Sequence, residues 1–333
     1  MRVLITGPIA GGSLPVARAT AAAFTAMGYE STFIDYSPFA DEFRRVMASG
    51  NERARMSFVA ALERVLIDRI DGFKPEILLG LAQSPLFNHR LLDELRKSGV
   101  ITIYWLVEDF RILTYWKRIA SHYDIFFSIQ TGDFAKALAE AGANNHYYLP
   151  VAFDNNLEGP SIQSGHPTPI SFMGAPYPNR IRVLQHLARY ALKIYGEGWD
   201  KHPIPGVIEG SRWISESEVR SIYRNTRINL NLHSSMDRYA IGGDFVNPRT
   251  FELAGMGCFQ LCDRRELLPP LYSEDEVVQF GNEAELIEKI DYYMGHESER
   301  KEIAVNAQRK TLKRHLYEHR VVEMMKAARN LSR

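Results

Sequence analysis

The residues best suited to chemistry fall in one run, Asp244-Phe245-Val246-Asn247-Pro248-Arg249-Thr250-Phe251-Glu252-Leu253-Ala254-Gly255-Met256-Gly257-Cys258. Asn247 followed by Pro248 reads as a helix start, with Asn247 as the cap and Pro248 in the first turn. Glu252 then falls just over one turn inside, beside Phe251, Leu253 and Ala254, which read as packed. A charge in such a place is expensive unless something binds it. Glu252 is therefore either a ligand-binding carboxylate or one arm of an internal salt bridge. Asp244 precedes the helix, and both carboxylates can approach one polar ligand from the loop and the first turns. The pairing suits a sugar at one end and a ribose at the other, with the helix N-terminus facing phosphate.

Three further clusters could carry chemistry. Met173-Gly174-Ala175-Pro176-Tyr177-Pro178-Asn179-Arg180 has a strand–glycine–helix layout. Arg180 in the first helical turn, added to free amides, can neutralise a diphosphate, or it is a surface arginine. Gly7-Pro8-Ile9-Ala10-Gly11-Gly12-Ser13 opens a helix near Leu14-Pro15, and Pro8 breaks the dinucleotide fingerprint. Gly11, Gly12 and Ser13 thus form a binding loop or simply a tight turn. Glu108 and Asp109 follow an apolar strand, where they can contact hydroxyls or act as a base, or else cap the segment 110–120. His233 follows the strand 228–232 and either touches a ligand or is packed.

These groups need elements to position them. Short apolar runs at 3–6, 32–34, 77–79, 101–106, 125–127 and 147–149 alternate with helical patterns at 15–27, 53–71, 86–98 and 133–141. Gly28, Gly72 and Gly142 stand where C-caps belong. Continuous apolar strands between amphipathic helices imply a parallel sheet covered on both faces, and right-handed crossovers make it doubly wound. A polar stretch, 155–169, reads as a linker. The alternation restarts with strands at 170–173, 192–195, 228–232, 259–261 and 277–278, and with helices at 178–190, 216–224 and 248–256. The expectation is an α/β protein of two Rossmann-like doubly wound domains facing a central cleft. The domains are 1–154 and 170–315, and a C-terminal helix at 316–333 packs back on the first domain.

Composition limits the alternatives. The 333 residues carry 45% hydrophobic and 24% charged side chains, an ordinary globular balance. Lys+Arg and Asp+Glu both total 40, and residues 1–155 hold 16 basic against 17 acidic side chains. A duplex-nucleic-acid binder needs a basic excess to neutralise phosphates, so that class is excluded. Cys258 and Cys262 are too few for a disulfide framework and lack the second pair of a zinc site, which leaves buried thiols in a reducing compartment. No apolar run is long enough to span a membrane, and the start MRVLITG has no leader pattern. The expected location is cytoplasmic, at most peripheral at the inner membrane through 42–71, whose arginines alternate with acids and favour a solvated face.

The run Asn247–Gly257 resembles the signature of GT-B glycosyltransferases in the glycosyltransferase group 1 superfamily, and within it the CgeB-like spore-maturation branch. Tyr195-Gly196-Glu197-Gly198-Trp199, Ile222–Leu232 and the ending Glu299–Ala304 through His319-Arg320 are similar to the same branch. Trp105–Asp109 and Tyr148–Ala152 match it less sharply. The resemblance implies a GT-B enzyme moving a sugar from a nucleotide-sugar donor to an unidentified acceptor. It places the donor at Gly174, Arg180, Tyr195, Gly196, Gly198, His233, Asn247, Arg249, Thr250 and Glu252. Retaining relatives carry a Glu-x7-Glu element, and this chain keeps the spacing with Asp244 in the first position, so Asp244 meets the donor sugar and Glu252 the ribose. Gly11, Gly12, Ser13, Glu108 and Asp109 form the acceptor side, and Asp244, Glu252 and Arg180 are the catalytic set. Without a D-x-D element, transfer is expected to need no metal or other cofactor. The alternatives are a sugar-nucleotide epimerase or hydrolase on this fold, and a non-catalytic nucleotide-sugar-binding or coat-associated protein.

Overall fold

The computed structural model describes residues 1–84, 88–156, 168–208 and 211–331. The chain divides into two compact units, Met1–Val151 with Tyr317–Arg333, and Ala152–Leu316. The first contains β1 (Arg2–Thr6), α1 (Leu14–Ala26), β2 (Glu30–Ile34), α2 (Ala40–Ala48), α3 (Glu52–Phe73), β3 (Ile77–Leu81), α4 (His89–Lys97) and β4 (Ile101–Leu106). It continues through α5 (Trp116–Ile119), β5 (Ile125–Ser128), α6 (Asp133–Glu140) and β6 (His146–Tyr148). The second contains β7 (Thr168–Met173), α7 (Pro178–His186), β8 (Leu192–Tyr195), α8 (Glu216–Arg224), β9 (Thr226–Asn231) and α9 (Pro248–Gly255). It ends with β10 (Gln260–Asp263), β11 (Val278–Phe280), α10 (Glu283–Gly295) and α11 (Glu297–Arg314), after which α12 (Tyr317–Arg329) joins the first unit.

Each unit is built on one wholly parallel sheet, ordered β2-β1-β3-β4-β5-β6 in the first and β11-β10-β9-β7-β8 in the second. Every residue of β3, β4 and β5 is buried. That is why those segments read as unbroken apolar runs instead of alternating ones. Leu4, Leu78, Tyr104, Phe126 and Phe134 lie in the first core; Phe172, Leu184, Ile194, Leu230, Leu261 and Phe280 lie in the second. In the first unit α12 packs on α1, and buried Arg320 donates to the carbonyl oxygens of Pro150 and Val151 at 2.7 and 3.0 Å. The GT-B class, two doubly wound parallel-sheet domains, is the fold observed. No described helix is long and apolar enough to cross a membrane.

Several local expectations are corrected. The surface segment 42–71 is divided between two helices, α2 and α3. Gly72 lies inside α3, which runs on to Phe73 and ends where Lys74 takes a left-handed φ of 51°. The expected helix 178–190 stops at His186, and the expected helix 110–120 shrinks to the single turn of α5. The helix expected over 86–98 is described from His89, because 85–87 lie outside the described residues; so do 157–167 of the expected linker. On α3, Phe58, Leu62 and Leu66 are buried, while Arg55 and Arg64 pair with Glu52 and Asp68. Those two arginines are paired on a solvated face.

Gly255 closes α9 against Phe153. A methyl at Gly255 would lie 2.3 Å from the ring's Cγ. The gain in helix propensity, about 1 kcal/mol at best, cannot offset overpacking of about 1–3 kcal/mol. Gly255→Ala should therefore lower the urea midpoint; an unchanged or higher midpoint would show that Phe153 yields freely.

Candidate functional site

In the second sheet the strand order reverses between β7 and β9. Open α/β sheets bind ligands beyond the carboxyl ends of their strands at such a switch point. Three chain segments converge there. Gly174 follows β7 with φ +153°, and a Cβ on it would stand 3.1 Å from Arg180 Nη1. Gly196 follows β8, and a Cβ there would stand 2.6 Å from the Gly174 carbonyl oxygen. Only glycines let these two strand ends and the guanidinium approach so closely. The Gly174 oxygen also accepts from Trp199 Nε1 at 2.7 Å, which fixes the Tyr195–Trp199 turn that contains Gly198.

Arg180 is buried, and it is not the surface arginine of the bland alternative. Its Nε donates to the Leu232 carbonyl at 3.0 Å and its Nη1 to that of Ala175 at 3.1 Å. The guanidinium lies over Phe172 and Tyr177. No carboxylate pairs with it among the described residues. Burial pulls its pKa down to about 9, with the positive charges of Arg249 and Arg265 adding to the effect. Pro178 has no N–H, and α7 begins without a side-chain cap or an acidic residue in its first turn. The place is positive and polar with no anion of its own.

α9 begins as the sequence predicts. Asn247 Oδ1 accepts from the Thr250 amide at 3.0 Å. The Asn247 and Thr250 side chains, however, are spent inside the protein. Asn247 Nδ2 donates to Asn231 Oδ1 at 2.8 Å, Asn231 Nδ2 donates to Thr250 Oγ1 at 2.8 Å, and Gln260 Nε2 donates to the Thr250 carbonyl at 3.0 Å. This buried amide network holds the helix start, and Asn229, Asn231 and Gln260 were not singled out as functional in the sequence. Arg249 Nε donates to Tyr223 Oη at 2.6 Å. Glu252 is partly buried and has neither a hydrogen bond nor an ion pair among the described residues. Burial raises its pKa; nearby Arg249 opposes that shift and Glu216 adds to it. The internal salt bridge that was its alternative is not formed among the described residues. Asp244, partly buried, follows Gly243, whose carbonyl accepts from the Glu266 amide at 2.9 Å.

His233 is corrected from a ligand contact to a buried support. Its ring is fully enclosed. Nδ1 lies 2.7 Å from Asp263 Oδ1, and Nε2 accepts from the Asn247 amide at 2.9 Å. Burial, with Arg265, Arg180 and Arg249 nearby, holds its pKa well below the ordinary value. Asp263 also pairs with buried Arg265. The sequence offered no signal for either residue, since both look like the end of an ordinary strand. His233, Cys262 and Asp263 bring possible metal-ligand atoms within 4.8 Å of one another. Both imidazole nitrogens are already engaged and Asp263 is paired with Arg265, so the trio does not fit a metal.

At the carboxyl edge of the first sheet, the strand order reverses between β1 and β3. Thr6 Oγ1 and Ser84 Oγ lie 2.6 Å apart there. Ser13 Oγ donates to Glu108 Oε1, and Gln83 Nε2 donates to Glu108 Oε2 at 3.0 Å. Cβ atoms on Gly11 and Gly12 would meet nothing within 4 Å. Asp109 instead serves the backbone: its Oδ1 accepts from the Arg111 amide at 3.0 Å and its carbonyl from that of Leu113 at 3.1 Å. The structure thus joins Ser13 to Glu108 and gives Asp109 the turn-capping role.

A carboxylate whose folded pKa is raised destabilises the protein above that pKa, and the penalty disappears below the unfolded value of about 4.3. Glu252→Gln should therefore raise the melting temperature at pH 7, with the difference shrinking as pH falls through the acidic range. Calorimetry at pH 7 and pH 4 tests this, and a lower melting temperature for the variant at pH 7 would mean that Glu252 is paired.

Residues 180–326, just under half of the chain, match a family model described as glycosyl transferase-like. No curated protein matches the chain. Among solved structures, sucrose-phosphate synthase from Thermosynechococcus elongatus is similar with a TM-score of 0.66 at 11% identity, over 99% of each chain. HepE from Anabaena, in complex with UDP-glucose, has a TM-score of 0.62 at 11% identity, over 98% of this chain and 100% of its own. UDP-GlcNAc 2-epimerase from Neisseria meningitidis, bound to UDP-GlcNAc, has a TM-score of 0.55 at 10% identity, over 99% and 100%. At these identities the likeness establishes the fold.

Proposed function

We propose that this protein is a glycosyltransferase that takes a sugar from a nucleoside diphosphate donor held at the β7–β9 switch point. The observation that carries the reading is Glu252, a partly buried carboxylate with no hydrogen bond or ion pair among the described residues, on the same edge as the uncompensated Arg180. A nucleotide sugar supplies what both lack. Ribose hydroxyls donate to Glu252, and the diphosphate accepts from Arg180, from Arg249 and from the amides that open α7. Gly174, Gly196 and Gly198, with Tyr195, let the backbone approach the donor. Asp244 meets the transferred sugar, while Asn247 and Thr250 hold α9 in place. The match to the glycosyl transferase-like model and the UDP-glucose complex of HepE support the assignment, and we place the chain in the CgeB-like branch on its signature residues.

The chemistry follows from charge. Breaking the bond between the anomeric carbon and the phosphate oxygen leaves its electron pair on the diphosphate and positive character on the sugar. Guanidinium groups and amides fixed before the reaction stabilise that departing charge. The acceptor hydroxyl bonds to the anomeric carbon and passes its proton to the departing diphosphate oxygen. We place the acceptor at Gly11, Gly12, Ser13 and Glu108, and take the stereochemical outcome as retaining. We further propose that no metal is needed, because Arg180 and Arg249 supply the positive charge that the departing diphosphate requires. The reading requires a compartment that supplies nucleotide sugars, hence the cytoplasm.

The likeness to UDP-GlcNAc 2-epimerase favours one second reading, in which the donor sugar is epimerised with no acceptor. Radiolabelled UDP-sugars incubated with and without an acceptor panel separate the two, since epimerisation proceeds without a second substrate. Glu252→Ala should abolish product formation while moving the melting temperature by no more than a few degrees. Activity retained with a large loss of stability would assign Glu252 to the framework. EDTA should leave the rate unchanged, and a loss reversed by added Mg²⁺ would overturn metal independence.

A further inference from the structure

We infer that the buried His233–Asp263–Arg265 unit is a positioning device that sets the donor-binding start of α9 against Arg180. The inference rests on the proposed donor site for its functional meaning, although its geometry stands alone.

Residues 232 and 233 are the joint between the two helices that face the switch point. Toward α7, the Leu232 carbonyl accepts from Arg180 Nε at 3.0 Å and the His233 carbonyl accepts from Asn179 Nδ2 at 2.9 Å. Toward α9, His233 Nε2 accepts the Asn247 amide at 2.9 Å. An imidazole nitrogen can accept only when it bears no proton. Nδ1 must then carry the proton and donate it to Asp263 Oδ1, which also accepts the His233 backbone amide at 3.0 Å. Asp263 Oδ2 is anchored by Arg265, whose guanidinium lies over Phe245. Arg265 is in turn hemmed in by the Gly243 backbone, where a Cβ would stand 2.5 Å from its Nη1.

The carboxylate therefore fixes one tautomer, the tautomer fixes the Asn247 amide, and that amide fixes where Arg249 and Glu252 stand. No group of this unit needs to reach the ligand. A core histidine with only a packing role would need neither a fixed tautomer nor a charged partner.

The test pairs two conservative variants. His233→Gln can retain an acceptor for the Asn247 amide, whereas His233→Asn can retain the donor to Asp263 but cannot reach Asn247. Amide hydrogen exchange at 247 and 249–251 should quicken about tenfold or more in His233→Asn and stay near wild type in His233→Gln, with UDP affinity falling roughly fivefold to tenfold only in the former, the size of one lost hydrogen bond. Equal behaviour of the two variants would overturn the inference. If the variants do not fold, ¹⁵N-histidine NMR of the wild type decides: a neutral ring protonated on Nδ1 supports the inference, and a proton on Nε2 defeats it. Should wild type fail to bind UDP, the proposed function falls, while the exchange and NMR results still judge the positioning role.

Discussion

The second unit is organised around a cation that the protein has buried and not neutralised. Arg180 gives two of its donors to main-chain carbonyls and has no carboxylate in contact among the described residues. Taking a guanidinium out of water costs several kcal/mol unless an opposite charge compensates it. A chain selected only for stability would have placed an acid beside Arg180 or a hydrocarbon in its stead. The strand-end glycines, the uncapped start of α7 and the aromatic rings around the guanidinium all serve to keep it where it is. Together they read as a socket for an anion that arrives with the substrate.

The framework that holds this socket is unusually polar for a sheet centre. Buried Asn229, Asn231 and Gln260 lie on β9 and β10, and their amides satisfy one another, Thr250, and nearby carbonyls. Buried amides of this kind are tolerable only when every group finds a partner. Once satisfied, they allow one arrangement, so the start of α9 cannot slide as a purely apolar contact would let it. Rigidity here and the unpaired Glu252 one turn further along are two sides of one design: the helix is fixed so that its free carboxylate points to a fixed place.

Much of this was legible in the sequence where local chemistry decides structure. The strand 101–106, the strand 192–195 and the helix 216–224 were bounded correctly, because apolar runs and a Ser215–Glu218 capping box mark them directly. Asn247 was read as a cap from its neighbour Pro248 alone. What failed depended on residues far apart in the chain. His233 could be a ligand contact or a packed residue on local grounds, because its partners, Asp263 and the Asn247 amide, lie 30 and 14 positions away. Asp109 could be a base or a cap on local grounds; its Oδ1 accepts from the nearby Arg111 amide, as a cap does, and also from Gln130 Nε2, 21 positions away. Gly72 was misread because Lys74, two residues on, accepts the left-handed conformation that glycine was expected to supply.

The most direct measurement is the crystal structure of the protein with a bound UDP-sugar. The account predicts the diphosphate against Arg180 and the first turn of α7, with the ribose hydroxyls on Glu252. A donor bound at another sheet edge, or Glu252 hydrogen-bonded within the protein while the donor lies elsewhere, would contradict it.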